Sequence, residues 1–260
     1  LEPVYLGSGR LRSISLSPSG KYVIYSVIEN APAEKETELL NFVSKSGYSE
    51  TETSRRKVGG QQTTVSLRIL NLETDKSYKV ETSNIPGIKD LPTYKRDYPH
   101  SKPEKPVDRK VNVLGPFWNS TNDQAIVVAR SHDSKDRWIM QLDLATGEPK
   151  LLDRQHDEAW VGGPGIESYP MSPGLVGWMP DNQSIWFQSE ESGYSHLYTM
   201  NTISGEKKQL IQGQFEVYDP FISKDKKWFY FTANKVHPGV RHFYRIPVWG
   251  GEPVQITSME

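Results

Sequence analysis

The residues suited to chemistry are few, and each has a plainer reading. Gly193-Tyr194-Ser195-His196-Leu197 comes nearest to a nucleophile elbow. Such an elbow sets a serine between small residues on a sharp strand–turn–helix bend, so that its hydroxyl projects free. Here the fifth position is Leu and the setting reads as a β-hairpin, so the segment is a turn. No catalytic residue is expected in this chain. The six histidines are His100, His132, His156, His196, His237 and His242. None stands two or four residues from another with a carboxylate nearby, and only His237 and His242 lie close, across a turn. No metal site is expected, and His196 and His242 read as strand residues hydrogen-bonded within their sheets. Cysteine is absent, which excludes disulfides, thiolate nucleophiles and zinc–cysteine sites. Gly162-Gly163-Pro164-Gly165 lacks the Lys and Ser/Thr of a phosphate loop and reads as a mobile loop. Nothing calls for a cofactor. Two glycosylation triplets, Asn119-Ser120-Thr121 and Asn182-Gln183-Ser184, fall on predicted turns and are expected to be accessible.

The elements that would position such residues are strands. Tyr and Trp are frequent (13 and 7), and 20 Gly and 18 Pro punctuate the 260-residue chain. Aromatic and β-branched runs between turn formers predict short strands. Helical periodicity is confined to Ala33–Val43, which predicts one short helix inside an insertion. Lys plus Arg (31) nearly balances Asp plus Glu (32), so no basic field recruits nucleic acid. Mean hydropathy is −0.63, and apolar runs are as short as Ala125–Ala129, too short to span a bilayer as a helix. The chain opens on Leu1 with no basic-then-apolar leader. That reads as a mature or trimmed chain with any export signal already removed; the expected location is the periplasm or the cell exterior, with the cytoplasm as the alternative.

The strands recur. Phe215–Ser223, Trp228–Thr232, Arg241–Pro247 and Pro253–Thr257 form one four-strand unit, with Asn234–Val240 read as a loop. Leu175–Met179, Ser184–Glu190, His196–Asn201 and Lys207–Ile211 form the unit before it. Leu114–Asp153 holds another, with turns at Asn119–Asp123 and Ala145-Thr146-Gly147. A first unit has strands at Leu11–Leu16, Tyr22–Ile28, Thr64–Leu72 and Ser77–Val80. Four antiparallel strands at a period of roughly 40–45 residues mark a β-propeller blade. The predicted fold is therefore all-β: a partial or whole β-propeller with about four blades visible. Insertions are expected at about 30–62, 84–110 and 156–173. The second of these reads as a surface excursion and the third as a long inter-blade loop.

Several motifs in order carry a family likeness. Ser189-Glu190-Glu191-Ser192-Gly193-Tyr194-Ser195-His196-Leu197-Tyr198 and Arg241-His242-Phe243-Tyr244 resemble the third strands of consecutive blades in the dipeptidyl peptidase IV branch of the prolyl oligopeptidase family. Trp160-Val161-Gly162 and Lys57-Val58-Gly59 are similar to two further stretches of that branch. The resemblance runs from about Lys57 to the end.

It implies the non-catalytic propeller of a serine peptidase, gating and helping to bind short peptides for a C-terminal α/β-hydrolase domain of the same polypeptide. That domain would lie beyond Glu260. The branch's pair of amine-binding glutamates is not found here, and the role is not carried onto Glu190-Glu191. The loop Asp157–Tyr169 corresponds to one that faces the family's substrate cavity, which makes Trp160, Glu167 and Tyr169 candidate substrate-facing residues. The alternative for Trp160 is a plug between two blades. A homodimer of the full-length protein is compatible with the resemblance. The alternative function is a free-standing binding or scaffolding propeller of the periplasm.

Overall fold

The computed structural model describes residues 6, 8–57, 59–97, 105–167 and 169–258. In the first unit, β1 (Arg10–Leu16) and β2 (Tyr22–Glu29) pair across the Ser17–Gly20 turn. A separate hairpin of β3 (Glu36–Asn41) and β4 (Glu50–Arg56) follows, and β5 (Thr64–Asn71) and β6 (Lys76–Lys79) complete the sheet in the order β1-β2-β5-β6. The second sheet holds β7 (Val111–Trp118), β8 (Ala125–Ser131), β9 (Asp136–Leu142) and β10 (Pro149–His156). The third holds β11 (Val176–Trp178), β12 (Ser184–Ser189), β13 (His196–Asn201) and β14 (Lys207–Gln209). The fourth holds β15 (Val217–Ile222), β16 (Trp228–His237), β17 (Val240–Pro247) and β18 (Val254–Gln255). All pairings are antiparallel. Four four-stranded antiparallel sheets in sequence are the blades of a β-propeller, called blades I to IV below.

The same local chemistry turns the chain in three blades. Asn71, Asp143 and Asn201 each end a third strand or directly follow it. Each side-chain Oδ1 accepts the amide hydrogen two residues on, at 2.9, 2.8 and 3.0 Å. Four residues after each of them comes Asp75, Gly147 or Gly205, with φ of 55°, 80° and 75°. An Asx turn closed by a left-handed residue reverses the chain at little cost, and it repeats because the blade repeats.

Packing between blades follows the period-2 alternation of strand side chains. In β8 every residue is buried. Ala125, Val127 and Ala129 face blade I, meeting Ile24, Leu67 and Ile69. Ile126 and Val128 face blade III, meeting Val176, Ile185 and Phe187. Blades III and IV enclose a third core of Leu197, Phe229, Phe231, Tyr244 and Ile246.

Four blades thus share three cores, and the outward faces of blades I and IV are uncovered. Ile14 is 63% and Phe221 51% exposed. Phe221, Tyr230 and Phe243 stack in a ladder on the outer face of blade IV, with centroids 5.7 and 5.4 Å apart. The accessible surface is 15441 Å², against about 11,600 Å² for a compact monomer of this mass. The described chain is an open arc of blades.

Three sequence expectations are corrected. Ala33–Val43 is not a helix: its Glu36–Asn41 part pairs with β4, Leu39 opposite Glu52 and Leu40 opposite Thr51. Glu and Leu favour a helix only weakly over so short a stretch, and long-range pairing prevails. Asn234–His237, expected in a loop, continue β16 past a register shift to the tight turn at Pro238-Gly239. The 84–110 excursion is not wholly superficial, since Ile85 and Ile88 are buried in the core of blades I and II. Thr93–Asp97 forms a 3-10 turn within it, and residues 98–104, with His100, lie outside the described residues.

The two faces of blade IV should respond oppositely to truncation. Phe231→Ala, made at 1% exposure, should cost about 3–5 kcal/mol. Phe221→Ala should stay within about 1 kcal/mol. Urea unfolding of both variants checks this, and equal losses would mean that the outer face is covered after all.

Candidate functional site

In each blade the strands alternate in direction. The connections from second to third strand and from one blade to the next therefore emerge at one rim. Hydrogen bonds run along that rim from blade to blade. Gln62 Nε2 donates to His132 O (2.9 Å), Val161 N to Ser134 O (2.7 Å), and Ser195 Oγ to Pro164 O (2.7 Å). Ser195 N donates to Glu216 Oε2 (2.7 Å), and Glu216 N to Asn234 Oδ1 (2.7 Å). The candidate loop, residues 157–175, lies in this line between blades II and III.

Two fully buried arginines of blade II hold that loop. Arg130, at the end of β8, donates NH1 to Ile166 O (2.6 Å) and NH2 to Val161 O (3.1 Å) and Glu167 O (2.6 Å). Arg137, early in β9, donates Nε to Pro173 O (2.9 Å) and NH2 to Leu175 O (3.1 Å). Its NH1 reaches Gln155 Oε1 (3.2 Å) and Gln188 O (3.1 Å). The planar, forked guanidinium suits this gathering of carbonyls. Burial pulls Arg137 down to about 9, with repulsion from Arg130 adding to it, and burial pulls Arg130 down to about 10. Both remain cations near neutrality. Asn112, also buried, completes the hold. Its Oδ1 accepts Val65 N of blade I (2.8 Å) and faces His132 Nε2 (3.3 Å), while its Nδ2 donates to Pro170 O (3.1 Å).

Of the candidate residues, Trp160 is 64% and Tyr169 63% exposed, so Trp160 does not plug a gap between blades. Tyr169 contacts Met171 Sδ through its hydroxyl (3.3 Å). Glu167 is exposed, has φ 64° and is fixed through its backbone by Arg130. A shared backbone clamp sets all three in one loop. The clamp also corrects the reading of Gly162–Gly165 as mobile. Pro164 O is bonded to Ser195, and Gly165 is packed against the amide of Gln188, where a Cβ would lie 1.7 Å from Oε1. Beside this loop stands Glu190, whose carboxyl is raised above its usual range by burial and then by repulsion from Glu216.

Ser195 is buried. Its hydroxyl donates to Pro164 O and accepts from Gln188 Nε2 (3.1 Å), with no base positioned on it. His196 donates Nε2 to Phe215 O (3.0 Å) and accepts Ser192 Oγ at Nδ1 (2.8 Å). Burial lowers its basicity. His242, expected to bond within its sheet, is buried with Nδ1 unpartnered. Asn119, expected to be accessible for glycosylation, is fully buried and donates to Asn182 O (2.7 Å). Among the described residues no group of three or more His, Asp or Glu could hold a metal ion.

A second polar centre, beside the start of the loop, was also missed. Asp136, fully buried, takes Arg154 Nε (2.7 Å) and His156 Nδ1 (3.0 Å) on Oδ1. Arg109 NH2 lies 2.7 Å from Oδ2, off the N–H direction, so this is an ion pair rather than an aligned hydrogen bond. Arg154 also pairs with Asp90 (2.7 Å), and Arg109 with Asp133 (3.4 Å). Both guanidiniums also lie near the Trp138 ring, 5.4 and 5.9 Å from its centroid. The sequence signal available was a charged run, Arg130-Ser131-His132-Asp133-Ser134-Lys135-Asp136-Arg137, set between two apolar strands.

Replacing Arg130 by Met should leave three loop carbonyls unpartnered. We expect a loss of roughly 1–3 kcal/mol and faster amide exchange across residues 161–167. Unchanged exchange there would show that the remaining contacts hold the loop.

Comparison with known proteins accords with this geometry. Residues 9–260 match the family model described as the dipeptidyl peptidase IV (DPP IV) N-terminal region. A probable dipeptidyl peptidase 4 of Emericella nidulans is 25% identical over 130 residues, 48% of this chain and 17% of that protein. One from Aspergillus fumigatus is 23% identical over 145 residues, 54% of this chain and 18% of that protein. The chain spans less than a fifth of the length of these relatives. The crystal structure of Porphyromonas gingivalis dipeptidyl peptidase 4 superposes on 93% of this chain and 30% of its own, with TM-score 0.59 and 15% identity, and so shares the fold. A match over nearly the whole chain, on four consecutive propeller blades, places this protein in the dipeptidyl peptidase IV N-terminal region family.

Proposed function

We propose that this chain is the part of a peptidase propeller that gates and helps bind short peptides for proteolysis by a C-terminal α/β-hydrolase domain of the same polypeptide. The observation that carries the reading is the Arg130–Arg137 clamp. Two buried cations are spent on fixing one loop, and that loop holds Trp160 and Tyr169 out in solvent. Burying charge is costly, and fixing a surface loop does not require it. Rigid aromatic side chains give apolar contact to a peptide at low entropic cost, and the Glu167 carboxylate adds negative charge beside them. Selection by such a rim is steric and electrostatic, and the covalent chemistry belongs to the hydrolase.

In this reading the described blades are an arc of a larger ring. The uncovered faces of blades I and IV, with Ile14 and the Phe221 ladder, are what further blades would bury. A homodimer of the full-length protein fits as well, and the β3–β4 hairpin, with Leu40, Phe42 and Val43 exposed, is a surface suited to it.

In the full-length peptidase, Trp160→Ala combined with Tyr169→Ala should lower kcat/KM for short peptides about tenfold, the equivalent of ~1.4 kcal/mol. The loss should fall mainly on KM, with hydrolysis of a small activated ester unchanged. An unaltered KM would remove the loop from substrate binding, and a reading frame with no hydrolase domain would remove the proposal altogether.

A further inference from the structure

The Asp136 centre contains a contact pair that one protonation state alone permits. His156 Nδ1 lies 3.0 Å from Asp136 Oδ1, and its Nε2 lies 3.2 Å from Glu158 Oε1. An ionised carboxylate only accepts, and a neutral imidazole has one N–H and one bare nitrogen. Both contacts are therefore hydrogen bonds only while the ring carries two protons. The proton does not sit on either acid instead. Asp136 faces Arg109 and Arg154 at 2.7 Å each. Glu158 is held down to about 2, first by hydrogen bonding at Thr93 and then by His156 and Lys135.

The two acids are not equally free to move. Asp136 is fully buried between its arginines, whereas Glu158 is 44% exposed. The other oxygen of Glu158 accepts Thr93 N (3.1 Å), at the start of the 3-10 turn in the 84–110 excursion. Lys135 stands 3.8 Å away. Glu158 also immediately precedes Ala159 and Trp160. A single carboxylate thus ties the excursion to the root of the candidate loop, and His156 connects it to the buried core.

We infer that His156 is a proton-operated clasp between the 84–110 excursion and the loop that presents Trp160. With the ring protonated, Asp136, His156, Glu158 and Thr93 form one continuous chain of hydrogen bonds. When the ring loses a proton, the bond to buried Asp136 keeps the remaining N–H. Bare Nε2 then faces the Glu158 carboxylate, lone pair against lone pair, and that link opens. The sign follows directly: the clasp is made at lower pH and is lost as pH rises through the ring's titration in the folded chain. The charged groups around the ring are Asp90, Arg109, Asp133, Lys135 and Arg154, and histidine is the side-chain type among them that changes charge in this window. An effect on peptide binding rests on the functional reading above, but the clasp itself does not.

Hydrogen exchange on this chain, read by mass spectrometry at about pH 5.5 and pH 8.5 and corrected for intrinsic pH dependence, tests it. Peptides covering 89–97 and 157–162 should lose protection about tenfold on raising the pH, while blade cores stay unchanged. In His156→Gln the profile should be flat, at the high-pH level. The ¹⁵N shifts of the wild-type ring should show both nitrogens protonated at the lower pH and one at the higher. That ring titration decides the matter even if the variant does not fold. A neutral ring at the lower pH, a flat wild-type profile, or an unchanged profile in His156→Gln would overturn the clasp. The substrate reading is tested separately by the Trp160 and Tyr169 kinetics, so either can fail alone.

Discussion

A four-stranded antiparallel sheet with apolar residues on both faces must be covered twice. Blade II shows the satisfied case: β8 sends alternate residues into two different cores and leaves none exposed. Blades I and IV show the half-satisfied case, each with one covered face and one apolar face in solvent. This double burial fixes register, because a one-residue slip would exchange the two sets of side chains. It also fixes the rim, since stacked blades bring successive connections side by side.

The rim is where the chain uses charge inside protein. Arg130 and Arg137 sit among apolar strands and find their main partners in backbone carbonyls of the loop. Carbonyl dipoles offset only part of the desolvation cost. What the arrangement confers is geometry, because each forked guanidinium gathers two or more backbone segments into one position. Asn112 adds a contact that crosses from blade I to the loop. The loop conformation and the blade stacking are therefore coupled, and a change in one alters the other.

The polar groups of the rim are committed to holding structure. Ser195 and His196, adjacent in sequence, spend their polar atoms on different structural partners and do not face each other as nucleophile and base. The ionic centre around Asp136 joins the start of the loop to the 84–110 excursion through residues from four chain segments. The rim loop and the excursion are thus fixed to each other through buried charge.

The blade pattern could be read from the sequence because its causes are local. The strand Trp228–Thr232 and the turn at Ala145-Thr146-Gly147 depend on residues close in sequence, and they appear in the structure as expected. That Trp160, Glu167 and Tyr169 lie in a loop outside the repeat was legible for the same reason. The failures share a different cause. Glu36–Asn41 became a strand because of partners in β4, up to about twenty residues away. Asn119 is buried because a turn of the next blade covers it, 63 residues later. The partners of Arg130 lie 31 to 37 residues on, and the loop partner of Asn112 lies 58. Local periodicity and turn chemistry determine strands and bends, but the partner of a buried polar group is chosen only when blades stack, and no spacing in the sequence encodes that choice.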